Sequence, residues 1–156
     1  MPELDCQAVL LELLNTTPVI DGRAVDLLDR EWLRGHGATG GVDDVRRLRD
    51  DLQHVVWGEA DASVLRRYLR SVRQVPRIHD GRLVWELDAD WAARVVLAWG
   101  ELQDAMPGRL RACANEECRL FLIDRSRAGT ARWCSMTGCG NRMKARRHYR
   151  RAARDG

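Results

Sequence analysis

The sequence predicts an α+β fold, mostly α: a helical N-terminal domain with one β-hairpin over residues 1–108, then a C-terminal cysteine-rich module with a basic helix over residues 109–156. Three observations carry this. Apolar residues recur at helical spacing through most of the first hundred positions. The pair Asp80-Gly81 is followed by alternating apolar residues, which signals a hairpin. Four of the five cysteines fall within residues 113 to 139. A chain of 156 residues can bury one good core and carry a small appended module that needs its own stabilisation, which a metal supplies.

The elements follow in order. Residues 5–14 place Val9, Leu10, Leu13 and Leu14 on one helical face, and Asn15-Thr16-Thr17-Pro18 breaks the pattern. A second helix is expected from Ala24 to Leu33, with Val25, Leu28 and Trp32 in a stripe. The glycine-rich run 35–41 reads as a loop. It lacks the lysine followed by serine or threonine, and the preceding strand, of a phosphate-binding loop. Asp43 or Asp44 is expected to cap a helix carrying Val45, Leu48, Leu52 and Val56, and Asp61 one carrying Leu65, Tyr68, Leu69 and Val72. Pro76 is expected to close that helix, and residues 77–87 to form the hairpin. From Asp88 to Met106, Trp91, Val95, Ala98, Trp99, Leu102 and Met106 mark a central core helix that Pro107-Gly108 ends, so the domain boundary is placed near Pro107. Trp32, Trp91 and Trp99 lie on these stripes, which favours a core role over a ligand pocket.

With 45% hydrophobic and 31% charged residues the chain reads as globular, and its short apolar runs exclude a transmembrane helix. The opening MPELDCQAVL has no basic stretch before an apolar one, so a secretory signal is not expected and a cytoplasmic location is. The net charge of +3 hides a division: residues 1–108 hold 13 basic and 19 acidic side chains, residues 109–156 hold 13 and 4. Twelve of those last 13 basic residues are arginine, the side chain suited to bidentate phosphate and guanine contacts.

The cysteines carry the sharpest signal. Cys113-x4-Cys118 is followed after fifteen residues by Cys134-x4-Cys139: two thiolate pairs separated by enough chain for a hairpin, a donor set that suits one structural, tetrahedral Zn2+. Four thiolates leave no open position for catalysis, and the C-x-x-C spacing of redox sites is absent. Leu120-Phe121-Leu122-Ile123 reads as a strand covering the site, and His148 as a surface residue rather than a ligand. Cys6 reads as a small buried hydrophobe at a helix start.

Beyond the second pair, a helix from Asn141 to Arg154 repeats arginine every four residues at Arg142, Arg146, Arg150 and Arg154, and Lys144, Arg147 and Arg151 widen the stripe. Like charges at that spacing weaken an isolated helix, so a polyanion is the expected partner. Asn141 and Arg142 are the types that read adenine and guanine, Arg125 and Arg132 extend the basic surface, and Tyr149 is expected to stack, contact phosphate or pack on the hairpin.

From Cys113-Ala114-Asn115-Glu116-Glu117-Cys118, through Phe121-Leu122-Ile123-Asp124-Arg125-Ser126, to Arg132-Trp133-Cys134-Ser135-Met136-Thr137-Gly138-Cys139-Gly140-Asn141-Arg142, the chain closely resembles the CGNR zinc finger. The resemblance implies a treble-clef-like zinc fold, double-stranded DNA as partner, and a place among bacterial stress-induced transcription regulators. In that group the finger follows an N-terminal ABATE domain that receives a signal. Glu12-Leu13-Leu14-Asn15-Thr16 and Val25-Asp26-Leu27-Leu28 resemble its opening, with Glu12 where an aspartate is more usual and a short segment from Asp29 to Gly41.

The expectation is therefore a DNA-binding transcription regulator, with an N-terminal domain that senses a small-molecule effector or forms a homodimer. The alternative is a zinc-stapled interaction module that binds an acidic protein or RNA. No enzymatic activity is expected, because His36, His54, His79 and His148 are scattered with no nucleophile, base and orienting acid at recognisable spacing.

Overall fold

The computed structural model describes residues 5–153. Helix α1 (Cys6–Leu14) begins where the Asp5 carboxylate accepts the amides of Gln7 and Ala8 at 3.1 and 3.2 Å. It buries Val9, Leu10, Leu13 and Leu14, the face its spacing predicts.

The second helix starts later than expected. Residues 19–24 form a two-stranded ladder, β1 (Val19–Ile20) and β2 (Arg23–Ala24), around Asp21-Gly22, both at positive φ. The chain then runs back along Thr16–Pro18, with Val25 N–H donating to Pro18 O at 2.9 Å and Leu27 N–H to Thr16 O at 2.8 Å. Those amides are spent on the loop, so α2 (Arg30–Gly35) opens only where Asp29 accepts from Trp32 N–H at 2.8 Å. Helix α3 (Val42–Trp57) has Gly41 at its cap, and Asp44 contributes from inside the first turn by accepting the Gly41 amide at 3.2 Å. Gly58, at φ 77°, closes it in the left-handed conformation that glycine adopts without strain.

Asp61 caps the next element as expected, accepting from Ser63 N–H at 2.8 Å, but residues Ala62–Leu69 wind as a 3-10 helix. That winding keeps Leu65 in the core while the Tyr68 hydroxyl donates to Asp51 at 2.6 Å. Pro76 does not close this helix; it lies inside β3 (Arg73–His79), which pairs antiparallel with β4 (Arg82–Asp88). Asp80 and Gly81 both have positive φ, the type I′ signature, so His79 and Arg82 form a hydrogen-bonded pair. Bonded and non-bonded pairs alternate from there, and Pro76, opposite Trp85, falls in a non-bonded pair where its missing N–H costs no ladder bond.

Helix α4 (Trp91–Ala105) is capped by Asp90, which accepts from Ala93 N–H at 2.8 Å, and buries Trp91, Val95, Val96 and Leu102 against α1 and the 3-10 helix Ala62–Leu69. Gly108 turns the chain into β5 (Leu110–Ala112), which pairs with β6 (Phe121–Ile123). This hairpin enters the same core as the helices. Leu110 and Phe121 pack in one cluster with Leu10, Leu13 and Leu48, and the Phe121 ring lies 5.2 Å from that of Trp57. The Asn15 side chain completes the joint: its carbonyl oxygen accepts Phe121 N–H at 2.7 Å and its amide donates to Phe121 O at 3.2 Å. Phe121 therefore serves the shared core rather than covering the cysteines. Beneath, the buried Arg49 donates to Asp26 and Thr16, and Gln53 to Leu14 O and Thr17 Oγ1, holding the α1–β1 loop to α3. Among the described residues no helix is long and apolar enough to cross a membrane.

Candidate metal centre and its basic helix

The β5–β6 hairpin delivers the first cysteine pair. Cys113 follows β5 directly and its amide donates to Leu120 O at 2.8 Å, while Cys118 N–H donates to Asn115 O at 2.8 Å and closes a tight knuckle. The second pair is brought alongside by Ala114 N–H, which donates to Arg132 O at 2.8 Å. Ser135 then caps the C-terminal helical run by accepting Gly138 N–H at 3.1 Å. One π turn (Met136–Gly140), holding Cys139, leads without a break into α5 (Asn141–Ala152). Gly140 is buried where a Cβ would stand 2.9 Å from Met136 Sδ and 3.3 Å from the Trp133 ring, so the turn closes on a residue without a side chain.

The Sγ atoms of Cys113, Cys118, Cys134 and Cys139 all lie within 4.8 Å of one another. Cys134 Sγ is 3.7 Å from both Cys118 Sγ and Cys139 Sγ. A tetrahedron with Zn–S bonds of ~2.3 Å has edges of ~3.8 Å, so these separations match the donor set of one zinc ion. Amide donors already face three sulfurs: Cys134 N–H towards Cys113 Sγ at 3.4 Å, Leu120 N–H towards Cys118 Sγ at 3.5 Å, and the Asn115 side chain towards Cys139 Sγ at 3.4 Å. Asn115 belongs to the first knuckle but serves a ligand of the second pair, the outer-shell support that orients metal ligands. Without a metal, burial pushes the Cys118 thiol up to about 11, and burial with neighbouring thiols raises that of Cys134 further. At Cys139 burial also acts upward, but hydrogen bonds from Asn115 and from the other cysteines outweigh it and the thiol is lowered. A divalent cation removes this conflict by taking the charge of the deprotonated sulfurs.

Asp124 organises the loop between the pairs. Its buried carboxylate accepts from the Ser126 hydroxyl at 2.6 Å, the Ser126 and Ala131 amides at 2.9 and 3.1 Å, and Arg111 at 2.9 Å. The Ser126 hydroxyl bond is the largest cause holding its carboxyl below the usual range.

The expected contact residues do not share one environment. Arg142, Lys144, Arg147, Arg150 and Arg151 are exposed on α5, and none has an ion pair among the described residues. Arg146 is tied instead to Glu117 of the first knuckle at 2.6 Å. Because Ser135 caps the run, Asn141 and Arg142 sit beyond its first turn rather than at its N-terminus. Arg132 lies over the Trp133 ring at 5.3 Å and lines, together with Arg147, Arg150 and Arg151, a groove of about 790 Å³. Arg125 is turned towards α1 and donates to Gln7 Oε1 at 3.2 Å. Tyr149 is 73% exposed and packs on no hairpin, and His148 is exposed outside the cysteine cluster. Arg154 lies outside the described residues.

Sequence reasoning missed Asn115, Asp124 and Asn15. The Asp124-Arg125-Ser126 triplet could have pointed to a side-chain-capped turn. Asn15 gives no such signal, since its partner is 106 positions away.

Residues 109–152 match the CGNR zinc finger family. No curated protein matches the chain. With the thiolate geometry, the match identifies a zinc-binding CGNR finger that holds a single ion through Cys113, Cys118, Cys134 and Cys139.

Proposed function

We propose that this protein is a DNA-binding transcription regulator whose zinc finger engages duplex DNA through α5, while the helical N-terminal part carries the regulatory input. The observation behind this reading is the row of unpaired cations on α5, Arg142, Lys144, Arg147, Arg150 and Arg151, on a helix anchored to the zinc knuckle by Arg146–Glu117. A helix fixed at a metal site presents its charges in one geometry, which suits the regular phosphate spacing of a duplex. Arg132 lines the same groove as Arg147, Arg150 and Arg151 and adds a further positive charge for the same backbone.

The test is binding of zinc-loaded protein to a fluorescent duplex over a range of salt. Each phosphate neutralised contributes a slope of ~0.9 in log K against log salt. Changing Arg147, Arg150 and Arg151 together to alanine is expected to flatten the slope by up to ~2.7 while the metal stays bound. Arg146 is left intact because its ion pair holds the helix. An unchanged slope would remove DNA as the partner of this face and favour an acidic protein.

A further inference from the structure

The β3–β4 ribbon stands apart from the rest of the fold. Ile78, Leu83, Trp85 and Leu87 are 68, 61, 62 and 42% exposed, and every residue of the two strands is exposed except the half-buried Val75. Cross-strand partners share a face, so Gln74/Leu87, Pro76/Trp85 and Ile78/Leu83 make one apolar side, and Arg73/Asp88, Val75/Glu86, Arg77/Val84 and His79/Arg82 the polar side. A lone two-stranded ribbon is marginally stable in water, and an apolar patch of several hundred Å² marks an interaction site.

The hydrogen-bond pattern shows which edge is open. From the bonded pair His79/Arg82 the alternation turns the N–H and C=O groups of Leu83, Trp85 and Leu87 away from β3. On the opposite edge the outward position of Pro76 has no N–H, which blocks pairing there. Of the outward β4 groups, the Leu87 carbonyl accepts a 3.4 Å bond from Arg94 and keeps a second lone pair.

We propose that β4 pairs antiparallel with β4 of a second copy of this chain, about a two-fold axis at Trp85, joining the two ribbons into a four-stranded sheet. The strand Arg82-Leu83-Val84-Trp85-Glu86-Leu87-Asp88 is self-complementary in that register. Trp85 meets the partner's Trp85, Leu83 meets the partner's Leu87, and Arg82 meets the partner's Asp88. The outward backbone groups sit at Leu83, Trp85 and Leu87, the same positions this register needs, so hydrogen-bond parity and side-chain complementarity agree in this pairing. A two-fold contact uses the same patch on both copies and closes as a dimer. This inference does not depend on the DNA reading.

The experiment is sedimentation equilibrium of the full zinc-loaded chain, with melting temperature and circular dichroism as folding controls. A dimer is expected in the micromolar range. Trp85→Lys places two ammonium groups at the axis and is expected to give a folded monomer. Arg82→Asp or Asp88→Arg alone sets like charges opposite each other at both ends and is expected to weaken the dimer roughly tenfold, and the double exchange to restore it. A monomeric wild-type chain, a dimer indifferent to Trp85→Lys, or single exchanges that the double exchange does not rescue would each overturn the proposal.

Discussion

Arg49 shows how single side chains hold the loop regions of this fold. It is 4% exposed and meets Asp26 at 2.7 Å and Asp50 at 2.9 Å. At Asp26 burial acts to raise the carboxyl, but hydrogen bonds from Arg49, Leu28 and Arg46 prevail and hold it at about 2. Its unfolded value is ~3.9, so its stabilisation is complete above that pH and is lost as pH falls through about 2. Asp26→Asn is expected to cost about 2 kcal/mol at neutral pH, below the full price of a broken buried pair because Asp26 is partly solvated and Asp50 remains. Urea melts at pH 7 and pH 3 check this, with the smaller gap between variant and wild type at pH 3. At the metal site the raised Cys118 and Cys134 thiols carry protons at neutral pH that zinc must displace. Zinc affinity is therefore expected to rise with pH between 6 and 8 as the ion displaces the Cys118 and Cys134 protons, a release measurable by calorimetry in buffers of different ionisation enthalpy.

At the scale of elements, the joint between the finger and the helices rests on β6 meeting the end of α1. Asn15→Ala leaves Phe121 N–H without its 2.7 Å partner and removes the 3.2 Å bond to Phe121 O. A loss of about 1–3 kcal/mol is expected, with faster amide exchange at Phe121 and Leu122 while the metal stays bound. The elements differ in how far the sequence reveals them. Helices α1, α3 and α4 were legible because each buries one continuous stripe, and the cysteine pairs because metal chemistry restricts residue type and spacing. The start of α2 was not, because amides within Val25–Leu28 are taken by a loop that only the folded chain brings near. Pro76 misled for a related reason: a proline that ends a helix also fits a strand wherever its nitrogen faces outward. Arg146 was legible as a charge, but its engagement by Glu117, 29 residues earlier, follows from the zinc fold.

For the molecule as a whole, Leu110 and Phe121 place the finger and the helical body in one hydrophobic cluster. Zinc should therefore raise the melting temperature of the entire chain in a single transition, because metal binding adds to the stability of every part that unfolds with it. Calorimetry of metal-free and metal-loaded protein checks this, and a zinc-independent transition of the helical part would show that the two regions melt separately. The role proposed for α5, held by the metal site, is to read duplex DNA. Its most direct test is selection of bound duplexes from a random pool by zinc-loaded protein, repeated after removal of the metal with a strong chelator. A defined motif that disappears with the metal is expected. Recovery of no motif, with residual binding abolished at moderate salt, would contradict it and leave α5 as an electrostatic surface for another acidic partner.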